Sequence, residues 1–172
     1  MSLSFSLIQT DEQIELVSRL ADEIWNEHYG AILTKEQIEY MVDRFQSPAA
    51  IADQARRGGY FYYLLVSETE PVGYMAVKPE EGKLFLSKFY IRKAHRGKGY
   101  ASRAFEYLEE ICKERGLTAI WLTVNRRNDG SIAVYEKKGF RTVRTQVADI
   151  GNGYVMDDFV MEKRLNAVDI VK

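Results

Sequence analysis

Residues 92–103 of this 172-residue chain read Arg-Lys-Ala-His-Arg-Gly-Lys-Gly-Tyr-Ala-Ser-Arg, glycines alternating with cations just before an apolar-periodic stretch. The first turn of a helix has backbone N–H groups without internal partners, and the helix dipole favours an anion there. Gly97 and Gly99 would let a phosphate approach the backbone, and Arg96 and Lys98 add positive charge. Arg96, Gly97, Lys98, Gly99, Tyr100 and Ala101 therefore read as a cradle for a pyrophosphate. In a Walker loop Gly-Lys is followed by Ser or Thr, whereas Gly99 follows Lys98 here. A Rossmann fingerprint has a third glycine where this chain has Ser102, and it springs straight from its strand. On its residues alone the loop is equally a tight strand-to-helix connection, or a site for another phosphate ligand such as a nucleotide.

Other reactive side chains are sparse. Cys112 is the only cysteine, which excludes an internal disulfide framework and a cysteine-cluster metal site. It lies on the apolar face of a helical stretch and reads as a small buried hydrophobe. His28 continues the apolar face of an earlier helix. Asp157 and Asp158 stand together in the last strand-like run.

Net charge is −1, but the halves differ. Residues 1–81 hold fourteen Asp and Glu against six Lys and Arg, a balance of −8; residues 82–172 hold eleven against eighteen, a balance of +7. Seven Lys and Arg and no acid fall between Gly82 and Phe105. Such asymmetry suggests separate tasks for the halves. A near-neutral whole does not fit a nucleic-acid-binding protein. No apolar run reaches the roughly 18 residues of a membrane span, and the N-terminus has no basic and apolar leader pattern. The expected location is cytoplasmic. The length suits one domain with an ample core.

The elements that must position the loop follow from periodicity. Phe5–Ile8 reads as a first strand. Thr10 is an N-cap for a helix whose face carries Ile14, Val17, Ala21, Ile24, Trp25 and His28 and which ends near Gly30. Thr34 and Gln37 make a capping-box pattern before the stripe Ile38, Met41, Val42 and Phe45. Ser47 and Pro48 open a short third helix closed by Gly58 and Gly59. Residues 60–67 and 72–78 form a hairpin, and Lys83–Ile91 is a further strand. Residues 99–114 are helical, 118–124 extended, 131–138 helical, and 140–149 and 154–162 a last hairpin around Ile150-Gly151-Asn152-Gly153. Met1–Leu3 receive no functional weight. The strand–helix–strand passage in the middle implies a parallel pair inside a mixed sheet.

With these elements in place, the chain resembles the GNAT N-acetyltransferases. Their Arg/Gln-x-x-Gly-x-Gly/Ala motif is met by Arg96, Gly99 and Ala101, after Phe89, Tyr90 and Ile91 on the matching strand. Leu122, Thr123, Val124 and Asn125 resemble the family's next strand. Asn128, Ala133, Tyr135, Gly139 and Phe140 resemble the helix that follows it. The match runs from Phe5 to about Leu165, nearest to the small-molecule and polyamine branch.

The resemblance implies an α/β (α+β) fold: a mixed, mostly antiparallel sheet with a splayed central parallel pair and helices on both faces, in one domain. It implies acetyl-CoA as cofactor, its diphosphate on Arg96–Ala101 and its thioester between the splayed strands near Phe89 and Val124. A neutral amine of a small molecule or peptide then attacks directly, a polyamine being one candidate. A backbone N–H near Phe89–Ile91 polarises the carbonyl, and Tyr135 protonates the departing thiolate. A phenol, with pKa about 10, is a weaker acid than a thiol at about 8.5, so a hydrogen bond to sulfur serves as well as full transfer. Asn125 is a candidate pantetheine ligand, while Asn128 and Ser131 are either ligands or a helix cap. Lys137 and Lys138 could reach CoA phosphates. Trp25, His28, Tyr29, Tyr40, Met41, Asp157 and Asp158 are candidate acceptor-site residues, and a homodimer is the further partner considered. The family's glutamate base has no counterpart between Leu84 and Tyr90; a water-relayed base, His28, Asp157 and Asp158 are the candidates, and the base stays unassigned. The alternative is a non-catalytic acyl-CoA sensor on the same fold.

Overall fold

The computed structural model describes residues 2–165. The elements are β1 (Leu3–Leu7), α1 (Asp11–Tyr29), α2 (Lys35–Gln46), α3 (Pro48–Arg56), β2 (Phe61–Ser67), β3 (Glu70–Glu80), β4 (Lys83–Ile91), α4 (Tyr100–Arg115), β5 (Ala119–Asn125), α5 (Asp129–Lys137), β6 (Arg141–Gly151) and β7 (Tyr154–Arg164). A single 3-10 turn, Lys93–His95, follows β4. The strands form one seven-stranded sheet in the order β1-β2-β3-β4-β5-β7-β6. β4 and β5 are parallel, and β1–β2, β2–β3, β5–β7 and β6–β7 are antiparallel. This is the mixed, mostly antiparallel sheet expected.

Two compact units divide the chain, one comprising Met1–Lys78 with Lys88–Tyr107, the other Pro79–Ser87 with Leu108–Lys172. The cuts fall inside β4 and α4.

In the first unit, alternation along β2 assigns the two faces. Tyr62 points to the side of α2 and α3, where its hydroxyl meets Gln46 and Gln54. Tyr63 points to the opposite side, against Tyr107 of α4. Phe5 of β1 stacks on the same Tyr107 ring with centroids 4.2 Å apart. Helix starts follow the local chemistry. Thr10 and Gln13 form the reciprocal capping box. Thr34 accepts from the Gln37 amide, and Ser47 accepts from that of Ala50 with Pro48 in the first turn. β1 begins at Leu3, which is buried and paired with Ser67, so this residue set aside above has a core role.

A buried polar chain ties α1–α3 to the sheet. Trp25 Nε1 donates to the Tyr74 hydroxyl at 2.9 Å, and that hydroxyl donates to Gln46 Oε1 at 2.6 Å. Gln46 Nε2 donates to the Tyr62 hydroxyl at 2.9 Å. Gln46 is 0% exposed, and burying an amide is tolerable only with such partners.

In the second unit, β7 lies between β5 and β6. Lys163 of β7 reaches Glu109 of α4 at 3.5 Å, which puts α4 over the face shared by Ile120, Lys163 and their alternates. The opposite face carries Trp121, Thr123, Asn125, Asp158, Val160 and Glu162, because directly opposed antiparallel residues share a face. β6 is an edge strand with register shifts at Thr142/Arg144 and Asp149/Gly151. Each shift leaves one extra residue, Val143 and Ile150, on β6.

Candidate active site

The phosphate loop sits in the first unit. Gly97 and Gly99 adopt φ of +79° and +81°, a left-handed backbone that favours glycine. A Cβ built on either would meet nothing within 4 Å, so space beside the backbone is open. α4 starts directly after them and runs 16 residues. Arg96 Nε donates to the Ile91 carbonyl at 3.0 Å, folding the loop back on the end of β4. The Tyr100 side chain does not line the loop. It is buried, and its hydroxyl donates to Ser67 Oγ at 2.9 Å, pinning the start of α4 to β2.

The approach to the loop depends on Gly73. β3 carries an extra residue, Val72, where the register to β2 shifts between Leu65 and Val66. Beside this bulge a Cβ on Gly73 would run into the Tyr90 carbonyl oxygen, and would lie 3.1 Å from Ile91 Cα. Glycine thus admits the backbone of β4 at Tyr90. The Arg92 amide donates to the Val72 carbonyl at 2.8 Å and continues the anchoring.

Phe89 and Tyr90 point to opposite faces. Phe89 meets Phe105 of α4, ring centroids 5.2 Å apart. Tyr90 joins Trp25, His28 and Tyr29 of α1 and Tyr74 of β3 in an aromatic cluster. The Tyr29 and Tyr90 hydroxyls are 3.2 Å apart. Three of the expected acceptor-site residues are therefore together, while Tyr40 instead accepts a hydrogen bond from Arg44 at 2.7 Å, within α2. Met41 is a core residue. Burial, and next the Arg96 charge, push His28 down to about 4. It is neutral at pH 7 and a weak proton acceptor.

The basic run is less uniform than its count implies. Lys83 pairs with Glu162 at 2.7 Å, and Arg92 with Glu23 at 2.8 Å. Burial pushes Lys88 down to about 8. Lys93, Lys98 and Arg103 remain exposed.

In the second unit, the β4–β5 ladder joins Leu84 to Ile120 and Phe85 to Trp121, and it does not continue to Leu86 or Ser87. β5 stays paired with β7 as far as Asn125. The Asn125 side-chain oxygen accepts from the Arg127 amide at 3.0 Å, and its carbonyl from that of Asn128 at 2.9 Å. That oxygen is occupied in holding the β5–α5 turn. The Asn128 side chain accepts from the Ser131 amide at 3.2 Å and so caps α5. Tyr135 is half-buried near the end of α5, its ring 5.8 Å from that of Phe140. The Phe140 amide donates to the Tyr135 carbonyl at 3.0 Å, which anchors the last turn to a buried ring. Lys137 is exposed and Lys138 half-buried.

Asp158 is 6% exposed, directly opposite Asn125 on one side and Gln146 on the other. Burial, and next the Asp157 charge, push it up to about 6. Asp157 has its own cation, Arg126, at 2.8 Å. Cys112 is fully buried, the small core side chain expected, and burial and then Glu109 push its thiol up to about 12.

The sequence profile of the acetyltransferase (GNAT) family matches residues 18–140, most of the chain and both motif regions. The chain belongs to the acetyltransferase (GNAT) family. This GNAT protein is 21% identical over 154 residues to an uncharacterised N-acetyltransferase from Lactobacillus delbrueckii subsp. lactis, covering 85% of this chain and 88% of that one. Its fold is similar to that of the PaiA N-acetyltransferase from Thermoplasma acidophilum, solved in complex with coenzyme A. The TM-score is 0.80 at 22% identity, with 96% and 100% of the two chains covered. A GCN5-related N-acetyltransferase from Rhodopseudomonas palustris follows with TM-score 0.79 at 16% identity, covering 96% and 97%. The protein is thus an acetyl-CoA-dependent N-acetyltransferase. The loop suits this cofactor: two left-handed glycines with open space beside them lead into a long helix, as a diphosphate requires. No helix among the described residues is long and apolar enough to cross a membrane.

Gln46, Gly73 and Tyr74 were missed by sequence reasoning. A glutamine at a helix end reads as surface, and a glycine inside a strand signals a bulge only weakly.

Proposed function

We propose that the protein acetylates a primary amine of a small molecule or peptide by direct attack, without an acyl-enzyme. The observation that carries this reading is the loop Arg96–Ala101, whose left-handed glycines and helix start suit the cofactor's diphosphate. Bound acetyl-CoA would supply an activated acyl carbonyl and a thiolate leaving group. Loop amides and Lys98 hold the diphosphate, and a backbone N–H within Phe89–Ile91 stabilises charge developing on the carbonyl oxygen. The Tyr135 hydroxyl supplies a proton, or a hydrogen bond, to the departing sulfur. The full burial of Cys112, the only cysteine, supports direct attack over a cysteine-bound acyl group.

The acidic first half favours a cationic acceptor such as a polyamine. Trp25, His28, Tyr29 and Tyr90 offer it an aromatic, uncharged wall. The test is thiol release from acetyl-CoA with spermidine, a lysine peptide and an alanine-terminated peptide, alongside thermal shift with CoA, ATP and NAD. Stabilisation by CoA and thiol release with an amine are expected. CoA stabilisation with no release across the panel would leave a binding protein in place of this enzyme.

A further inference from the structure

We propose that the Asp158 carboxylate is the group that takes the proton from the acceptor ammonium, an inference that rests on the amine-acetylating reading above. An amine of pKa about 10.4 is protonated at pH 7 and has no lone pair with which to attack. Some group must receive the proton, and the rest of the molecule offers few. β4 has no acid between Leu84 and Tyr90, and His28 is too weak a base once buried.

Within its own unit Asp158 stands out by its surroundings. It sits on the face of β5–β7–β6 that turns away from α4, opposite Asn125, the last residue of β5. From Asn125 the chain turns directly into the loop that begins α5 and leads to Tyr135. The carboxylate is more than nine-tenths buried, yet its Oδ1 has no hydrogen-bond partner among the described residues. A buried carboxylate oxygen left without a donor is costly, and an ammonium N–H or an ordered water would complete its shell.

The surrounding charges leave this place open. On β7, Asp157 is matched by Arg126 at 2.8 Å, and Glu162, two pairs along the same face, by Lys83 at 2.7 Å. From β5 the opposing residue is the neutral Asn125, and the Arg127 amide beyond it serves the Asn125 oxygen. From β6 the opposing residue is the neutral Gln146, whose Oε1 accepts from Arg144 at 3.3 Å. Tyr154 shares the face further along β7, near the hairpin turn. Among these groups Asp158 is the carboxylate without an ion pair among the described residues. A buried acid with a raised proton affinity is a better acceptor than an exposed one.

The proton balance closes. The ammonium gives one proton to Asp158, and the freed lone pair forms the C–N bond as the C–S bond breaks. The nitrogen sheds a second proton, matching the one that Tyr135 places on the thiolate. Asp158 then returns its proton to solvent, and one proton is released per turnover.

The experiment compares wild type, Asp158→Asn and Asp158→Glu, each with acetyl-CoA and the same three amines, from pH 5 to 9. In wild type kcat/KM should rise through an acidic limb with a midpoint near 6, the value to which burial pushes Asp158. Asp158→Asn should lose that limb and about 100-fold or more in rate at pH 7. Asp158→Glu should recover part of the rate. Thermal stabilisation by CoA should be the same in all three. A carbon-detected NMR titration of the wild-type aspartate carboxyls, read without turnover, should place Asp158 at the same midpoint. An Asp158→Asn enzyme that keeps both limb and rate would overturn the proposal. So would an Asp158 carboxyl titrating in the ordinary range near 4. A wild type that binds CoA but acetylates none of the amines would instead overturn the amine reading, and this proposal with it.

Discussion

Asp158→Asn should make the protein more stable at neutral pH and less so, relative to wild type, in acid. The carboxyl moves from its ordinary 3.8 to about 6 in the folded protein. Between those values the native state binds a proton that the unfolded chain does not. This contribution to stability is fully present below about pH 3.8, is lost as pH rises through about 6, and is absent above. At about 1.4 kcal/mol per pKa unit the full span is about 3 kcal/mol, an upper bound. A usable window is narrower. At pH 5, one unit below the native midpoint, about 1.4 kcal/mol of it is realised, and at pH 8 almost none. The amide variant has no such dependence. Its stability minus that of wild type should therefore climb by about 1.4 kcal/mol between pH 5 and pH 8. Urea unfolding at the two values, with m unchanged, measures this directly. A flat difference, or one that falls with pH, would refute a buried and electrostatically unmatched Asp158.

Other perturbations test other parts. Tyr135→Phe should lower kcat by about 10²-fold or more while leaving CoA-induced thermal stabilisation intact; wild-type turnover would remove Tyr135 from the chemistry. Gly73→Ala forces a methyl onto the Tyr90 carbonyl, and should cost about 1–3 kcal/mol in denaturant unfolding and weaken CoA stabilisation. Gln46→Leu deprives the Tyr62 and Tyr74 hydroxyls of a partner each and should cost about 1–3 kcal/mol, measured the same way. Native Cys112 should resist alkylation at pH 8 and react only on unfolding, as a mass-spectrometric time course would record.

Much of the fold was legible because periodicity and caps agree locally. β4 was bounded to the residue, and Thr10, Thr34, Ser47 and Pro48 sit where their side chains dictate. Strand ends drifted where the ladder extends past the apolar run, as in β3, which begins at Glu70 rather than Val72. The strand order was not legible, since the insertion of β7 between β5 and β6 is a long-range pairing. At the site, glycine spacing exposed the loop because left-handed backbone needs those residues. The functions of Tyr100, Asn125 and Arg92 were not readable, since each side chain's partner, Ser67, the Arg127 amide or Glu23, is fixed by folding and not by spacing. Charge counting failed in the same way at Lys83 and Lys88.

The edge strand β6 has a consequence for the protein in concentrated solution. Val143, Val147 and Val155 are 50%, 66% and 51% exposed on or beside it, a sticky border for a strand with an open ladder. The two extra residues, Val143 and Ile150, interrupt the regular spacing of its amides and carbonyls, and Arg141 and Arg144 flank the first interruption. An irregular, charged border is a poor template for another strand. Deleting Val143 would straighten the border and make it a better template for lateral growth, visible as particle size rising with concentration in light scattering.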